Sequence, residues 1–221
     1  MKIFEDLYAF LWLDPSVNNC NTYFIDGAKK ILVDPGHEHL FGHVRDSLAD
    51  LSLTPSDIDL VIITHAHPDH MEGVTLFADT PPALTAVYHT ESTLNDPISA
   101  QFGGGLAAPR FEPDILLQEG SLRVGRHDFQ IIHTPGHSPG SLCLYWPEKK
   151  VLFSGDVIFN QGVGRTDLPG GNGSALKESI RKLSNFEIDF LLPGHGDIVS
   201  GRDRVKANFE EIERVWFAYL S

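Results

Sequence analysis

The sequence predicts a mixed α/β domain, and three observations carry that prediction. Leu60-Val61-Ile62-Ile63 is an uninterrupted apolar run, mostly β-branched, of the kind that forms a strand buried on both faces. Further strand-like runs recur along the middle of the chain. Segments 39–51, 174–184 and 203–220 space their apolar residues as helices do. Strands outnumber helices in the middle, and neither a repeat nor a low-complexity linker interrupts the chain. Residues 1–221 therefore read as a single domain in which helices cover sheets.

Taken in order, residues 8–13 are rich in aromatics and end at Asp14-Pro15, a strand closed by a turn. Asn21–Ile25 and Lys30–Val33 flank Asp26-Gly27 and predict a β-hairpin, whose second run ends in Asp34-Pro35-Gly36. Leu40, Phe41, Val44, Leu48 and Leu51 predict a helix over 39–51. The Leu60–Ile63 strand leads into His65-Ala66-His67-Pro68-Asp69-His70, and a short helix is expected from about 70 to 78, with Asp69 near its N-terminus. More strands are expected at 84–88, 115–117, 129–133, 141–146, 151–154 and 190–192. Gly103-Gly104-Gly105 and Gly170-Gly171-Asn172-Gly173 are turn-rich. Ala175, Leu176, Ile180 and Leu183 predict a helix over 174–184. Val205, Phe209, Ile212, Val215, Trp216 and Tyr219 make 203–220 the clearest amphipathic helix.

Composition narrows the function. The 221 residues suffice for a sizeable core, and 42% hydrophobic with 21% charged residues is ordinary for a soluble globular protein. A net charge of -13 repels phosphate backbones, and Lys29-Lys30 and Lys149-Lys150 look like turn tips, so no nucleic-acid partner is expected. Cys20 and Cys143 lie far apart and outside any C-x-x-C pair, which reads as two buried free thiols. The acids in Met1–Asp6 and the short apolar run after them argue against a signal peptide, and no stretch reaches the length of a membrane span. A cytoplasmic protein without membrane partners is the expectation, as monomer or homodimer.

The chemistry is concentrated at strand ends. His65 to His70 places four potential metal ligands in six residues. His137 follows the strand-like Phe129–Ile132, Asp156 follows Val151–Phe153, and His195 follows Phe190–Leu192. These seven residues, five histidines and two aspartates, could converge on one rim of a sheet, on loops held by a rigid scaffold. Imidazole and carboxylate without thiolate suit zinc, iron or manganese. Seven ligands exceed a four-coordinate site and suit two metals that share a carboxylate and a bridging water, a catalytic design. A lone histidine at a strand end is more often a hydrogen-bonded turn residue; the joint occurrence carries the reading. His37, His39, His43, His89, His127 and His133 read mostly as surface or packed side chains, although His37 and His133 are near the motifs in sequence.

These residues resemble the metallo-β-lactamase fold superfamily, and within it the glyoxalase II-like (hydroxyacylglutathione hydrolase-like) branch. The matching features are Thr64-His65-Ala66-His67-Pro68-Asp69-His70, Thr134-Pro135-Gly136-His137, Ser154-Gly155-Asp156 and Pro193-Gly194-His195-Gly196, with Val33-Asp34-Pro35-Gly36 as an early strand-end motif. The resemblance runs in the expected order from about residue 18 to about residue 200. It implies a four-layer αββα sandwich with the site at one edge of the two sheets. It also implies His65, His67 and His137 on a first metal, Asp69, His70 and His195 on a second, and Asp156 bridging them. Asp69 and Asp156 are then the catalytic carboxylates. The implied cofactors are two zinc ions, with iron or manganese as alternatives at either site. Class B β-lactamases resemble the chain less in the middle and end motifs.

Gly162–Gly171 is similar to the Gly-Arg-Thr-Asp stretch of short bacterial glyoxalase II-like proteins and of persulfide dioxygenases. It reads either as a turn-rich connection or as a loop beside the metals, with Arg165 and Asp167 pairing or shaping a substrate pocket. Only about 25 residues follow His195, enough for one helix, so the C-terminal glutathione-binding region of glyoxalase II is not carried over. The expected activity is hydrolysis of a small-molecule thioester, an S-acyl-glutathione or a relative, by a hydroxide bridging two metals. Asp34, Thr64 and Ser154 are the residues expected to orient the ligands. The alternative is a persulfide dioxygenase with one iron. Against it, Val163 stands where that family would carry cysteine, and Pro169-Gly170-Gly171 is closer to the hydrolase branch. A nuclease is disfavoured by the acidic, short chain, and a non-catalytic binding module by the intact ligand set.

Overall fold

Runs of β-branched and aromatic residues become strands, and the order in which they pair brings the ligand-bearing turns to strand ends. The computed structural model describes residues 1–77, 82–91 and 112–221. It divides into two compact units, Met1–Leu117 and Gln118–Ser221.

In the first unit the strands are Lys2–Phe4 (β1), Leu7–Phe10 (β2), Thr22–Ile25 (β3), Ile31–Val33 (β4), Leu60–Ile63 (β5), Leu84–Tyr88 (β6) and Ile115–Leu117 (β7). Among the described residues they form a seven-stranded sheet in the order of the sequence. Pairing is antiparallel as far as β4, including the expected hairpin, and parallel from β4 to β7. All four side chains of β5 are buried, as its composition requires. Val61 and Ile63 pack with Phe24, Leu32 and the helix Gly42–Asp50 (α1), through Val44 and Leu48.

Two expectations shift here. The aromatic strand stops at Phe10 rather than residue 13, because Trp12 is drawn into the following turn. Its N–H donates to Asn21 Oδ1, and its indole N–H is shared between the carbonyls of Asp14 and Val17. The helix over 39–51 is split into a 3-10 turn, Glu38–Leu40, and α1. Phe41 lies at the break, buried edge-on against Phe77 at 5.5 Å.

In the second unit the strands are Gly120–Val124 (β8), His127–His133 (β9), Leu142–Trp146 (β10), Val151–Gly155 (β11), Ile158–Phe159 (β12), Gly162–Val163 (β13), Phe190–Pro193 (β14) and Val199–Ser200 (β15). The sheet order is β15-β14-β11-β10-β9-β8, and β12 and β13 form a separate ribbon. Helices Gly173–Leu183 (α3) and Arg202–Val215 (α4) lay Leu176, Ile180, Phe209 and Ile212 on Cys143, Leu152 and Leu191. The last helix ends at Val215, earlier than its apolar pattern predicts, and Trp216 turns its indole N–H to the carbonyl of Gln161.

The fold class is the mixed α/β class the sequence predicts. Both cysteines are free and buried. Among the described residues no helix is long and apolar enough to cross a membrane. The Gly103-Gly104-Gly105 turn lies outside the described residues, as does the end of the helix expected over 70–78; its described part is a short helix followed by a 3-10 turn, Glu72–Phe77.

Candidate metal centre

The first unit carries His65, His67, Asp69 and His70. β4 and β5 are parallel neighbours, so their C-terminal ends lie side by side; Asp34 follows one and Thr64-His65 the other. Asp34 adopts φ 54°, a left-handed conformation that Asp accepts more readily than most residues. Its Oδ1 accepts the Thr64 N–H at 2.8 Å, and its Oδ2 accepts the Thr64 hydroxyl at 2.7 Å and the His70 Nδ1–H at 2.9 Å. With that proton committed, Nε2 is the His70 nitrogen that carries the lone pair and could hold a metal ion. Asp69 Oδ2 lies 3.9 Å from this Nε2 and accepts the side-chain amide of Asn18 at 2.9 Å.

His65 Nε2 and His67 Nδ1 are 3.0 Å apart, and the His65 ring centroid is 4.1 Å from that of His70. Pro68 opens the short helix Pro68–Met71 (α2), its fixed φ suited to the first helical position. His67 caps that helix in an extended conformation, so the chain turns sharply between the first two histidines and the Asp69-His70 pair. Between His65 and His67 the Ala66 N–H donates to the fully buried Glu91 carboxylate at 2.8 Å. All four ligand side chains are buried.

The second unit carries His137, Asp156 and His195. β11 and β14 are parallel neighbours, so Asp156 and His195 leave adjacent strand ends, which the Gly194 N–H to Gly155 carbonyl bond ties together at 2.8 Å. β9 runs in the same direction as β11, on the far side of β10, so the His137 turn leaves at the same end of this sheet. Asp156 Oδ2 lies 3.6 Å from His137 Nε2 and 3.4 Å from His195 Nε2. One carboxylate oxygen therefore faces two imidazoles. His137 Nδ1–H donates to the carbonyl of Arg165 at 2.7 Å, which again places the lone pair on Nε2, an atom that could hold a metal ion.

Two glycines make this half possible. Gly136 has φ +138°, and a Cβ there would stand 2.3 Å from the Leu176 backbone nitrogen. A Cβ on Gly164 would stand 1.8 Å from the Asp156 carbonyl oxygen and 3.0 Å from His137 Nδ1. The Gly-Arg-Thr-Asp stretch is thus a collar: Gly164 lies on the Asp156 backbone, and Arg165 holds His137 through its main chain.

The Arg165 and Asp167 side chains form a two-pronged pair, with both contacts at 2.7 Å, and both are largely exposed. The Arg165 guanidinium holds the Asp167 carboxyl down at about 2. Of the residues expected to orient ligands, Asp34 and Thr64 do contact imidazoles; Thr64 Oγ1 is also 3.2 Å from His65 Nδ1. Ser154 instead donates its hydroxyl to the Ile158 carbonyl at 2.8 Å and secures the turn that carries Asp156.

Sequence reading missed Asn18 and Glu91, which belong to no recognisable motif and act across 51 and 25 residues, and, within the Gly-Arg-Thr-Asp stretch it did single out, it missed the backbone roles of Gly164 and of the Arg165 carbonyl. Of the other histidines, His127 is packed against Phe129 and Trp146, and His133 Nε2 meets the Pro139 carbonyl at 2.9 Å.

The residues fit divalent metal ions. Two imidazole nitrogens 3.0 Å apart approach the spacing of about 3.3 Å between ligands on a tetrahedral zinc. His70 and His137 each have the other ring nitrogen held by a carboxylate or carbonyl, the usual support of a metal-binding imidazole.

The sequence profile of the metallo-beta-lactamase superfamily matches residues 15–195. The chain belongs to this superfamily. Among its relatives, a probable metallo-hydrolase of Methanocaldococcus jannaschii is 36% identical over 187 residues, covering 80% of this chain and 88% of that one. The hydroxyacylglutathione hydrolase GloC of Haemophilus influenzae is 32% identical over 197 residues, covering 86% and 91%. The crystal structure of the BLEG-1 B3 metallo-beta-lactamase aligns with a TM-score of 0.75 at 30% identity, over 94% of this chain and 96% of that one. As a superfamily member the chain is of the metal-dependent hydrolase type, with divalent metal held by clusters of His and Asp.

Proposed function

We propose that this metallo-beta-lactamase superfamily member hydrolyses small-molecule thioesters at a dinuclear metal centre. In this reading His65, His67 and His137 hold one ion, Asp69, His70 and His195 hold the other, and Asp156 bridges. The observation that carries it is the double approach of His137 and His195 to a single oxygen of Asp156, at 3.6 and 3.4 Å. A carboxylate shared by imidazoles from two ligand sets is what a bridge requires. Zinc is the expected metal at both positions, with iron and manganese as the alternatives that metal analysis separates.

Bound divalent ions supply a nucleophile drawn from water near neutral pH and an electrophile for the carbonyl oxygen. The chain's own residues do the rest. Asp34 and the Arg165 carbonyl keep protons on the Nδ1 atoms of His70 and His137, so both rings present Nε2 in a fixed orientation. Asn18 orients the Asp69 carboxylate, and Glu91 holds the backbone between His65 and His67. Asp156 stands between His137 and His195, 3.6 and 3.4 Å from their Nε2 atoms. A thioester leaves as a thiolate whose conjugate acid has a pKa near 8.5, so no further general acid is required.

The thioester class is supported by the GloC relative, which covers 86% of this chain. The test is turnover on a panel containing S-lactoylglutathione, other thioesters, a β-lactam and glutathione persulfide with oxygen, alongside metal analysis. Thioester hydrolysis by protein with two metals per chain is the expected result. Asp156→Ala protein that retains full thioester hydrolysis ends the dinuclear reading. Oxygen uptake with persulfide and one iron per chain, or β-lactam turnover alone, replaces the thioester by those substrates.

A further inference from the structure

We propose that His37, His39 and Glu72 form a second, peripheral binding site for a divalent transition-metal ion, separate from the seven-ligand set. All three lie in the first unit. One ligand atom from each falls within 4.8 Å of the others. His37 Nδ1 is 2.7 Å from Glu72 Oε2, and the His37 and His39 rings are 5.0 Å apart, tilted by 45°.

Backbone contacts hold the three together. The Gly73 N–H donates to the Gly36 carbonyl at 2.7 Å, and a Cβ on Gly73 would stand 3.0 Å from the Pro35 carbonyl oxygen. The segments before His37 and after Glu72 therefore touch main chain to main chain. The His37 N–H donates to Asn19 Oδ1 at 2.9 Å, and the Thr75 hydroxyl donates to Glu38 Oε2 at 3.1 Å. The His37–Glu72 half of the geometry is set before any ion binds, which lowers the entropy cost of gathering the side chains.

The ligand types select the metal. Two imidazoles and one carboxylate suit zinc, nickel, cobalt or copper(II), and not the all-oxygen preference of calcium or magnesium. Three protein ligands leave positions for water. His39 is exposed, and His37 and Glu72 are partly exposed, so an ion reaches them from solvent. A bound ion clamps the Glu38–Leu40 turn to the Glu72–Phe77 turn, next to the segment that carries His70. A plain ion pair between His37 and Glu72 would account for those two residues but would give His39 no role.

His39 therefore carries the test. Protein carrying its own metals, freed of excess, is titrated with zinc ions, and bound zinc per chain is counted by mass spectrometry. Wild type is expected to take up one more zinc per chain than His39→Ala, or to bind it at least about tenfold more tightly, as loss of even an outer-shell partner costs 10- to 100-fold. Glu72→Gln is expected to show the same loss, and added zinc to raise the Tm of wild type more than that of His39→Ala. Thioester turnover without added zinc is expected to be equal in wild type and His39→Ala. Equal zinc uptake and affinity in wild type and His39→Ala overturns the proposal, as does a wild type that takes up no additional zinc.

Discussion

The Nδ1–H of His70 donates to Asp34 Oδ2 at 2.9 Å, with 0% and 3% of the two side chains exposed. The same carboxylate takes the Thr64 N–H and hydroxyl, so one acid at the end of β4 sets both the tautomer and the direction of an imidazole 36 residues away. Asp34→Asn retains the side chain's shape and a residue type that accepts the φ of 54°, so the turn is expected to survive. Metal affinity is expected to fall about 10- to 100-fold. Competition with a chelator of known affinity measures it, and an unchanged affinity removes Asp34 from this role.

Gly164 leaves no room for a side chain against the Asp156 backbone. An added methyl meets the Asp156 carbonyl oxygen at 1.8 Å, a contact no rotamer change relieves because the obstacle is backbone. Gly164→Ala is expected to lose about 1–3 kcal/mol of stability through overpacking. A displacement of about 1 Å in Asp156 and His137 is expected to cut turnover about 100-fold. Chemical denaturation and turnover on the same preparation check both, and wild-type turnover would show that the collar does not position the ligands.

The Arg165–Asp167 pair gives a prediction in pH. Asp167 is held at about 2, below its ordinary 3.8, by hydrogen bonding to Arg165. A carboxyl depressed on folding stabilises the protein above its ordinary pKa, and that contribution is lost as pH falls from 3.8 toward 2. Both side chains are exposed, so the effect is small. Arg165→Ala is expected to lower the Tm by a constant small amount above about pH 5, and the difference is expected to close toward pH 2. A gap that stays open at pH 2 means Arg165 stabilises the fold by some other contact.

Cys143 is buried, and burial pushes its thiol up to about 12. Cys20 is equally inaccessible. Only a thiolate that a reagent can reach is labelled. At pH 8 neither thiol of the folded protein is expected to react with an aromatic disulfide reagent on the time scale of minutes, while both react in denaturant. Fast labelling of the folded protein contradicts the burial.

Local signals made much of the fold legible. The β5 run, the hairpin around Asp26-Gly27 and the stripes of α3 and α4 follow from side-chain periodicity and turn chemistry, which nearby residues set. The edge strands β1, β8 and β15 were not legible. They are short and largely or partly exposed, and their pairing is decided by the neighbouring strand rather than by a buried face of their own. Trp12 shows the same limit, since an aromatic in a strand-like run went to cap a turn instead.

The sequence by itself determined which residues have metal-binding chemistry, because imidazoles and carboxylates at the ends of buried strands carry their identity with them. Only the tertiary structure decided that Nδ1 is the hydrogen-bonded ring nitrogen of His70 toward Asp34 and of His137 toward the Arg165 carbonyl, because those partners come from 36 and 28 residues away. It alone brought Asn18 to Asp69, Glu91 to Ala66, and His37 to Glu72. Those contacts depend on how strands far apart in the chain pair, and at Ala66 and Arg165 on backbone atoms common to every residue, which leave no mark in a sequence.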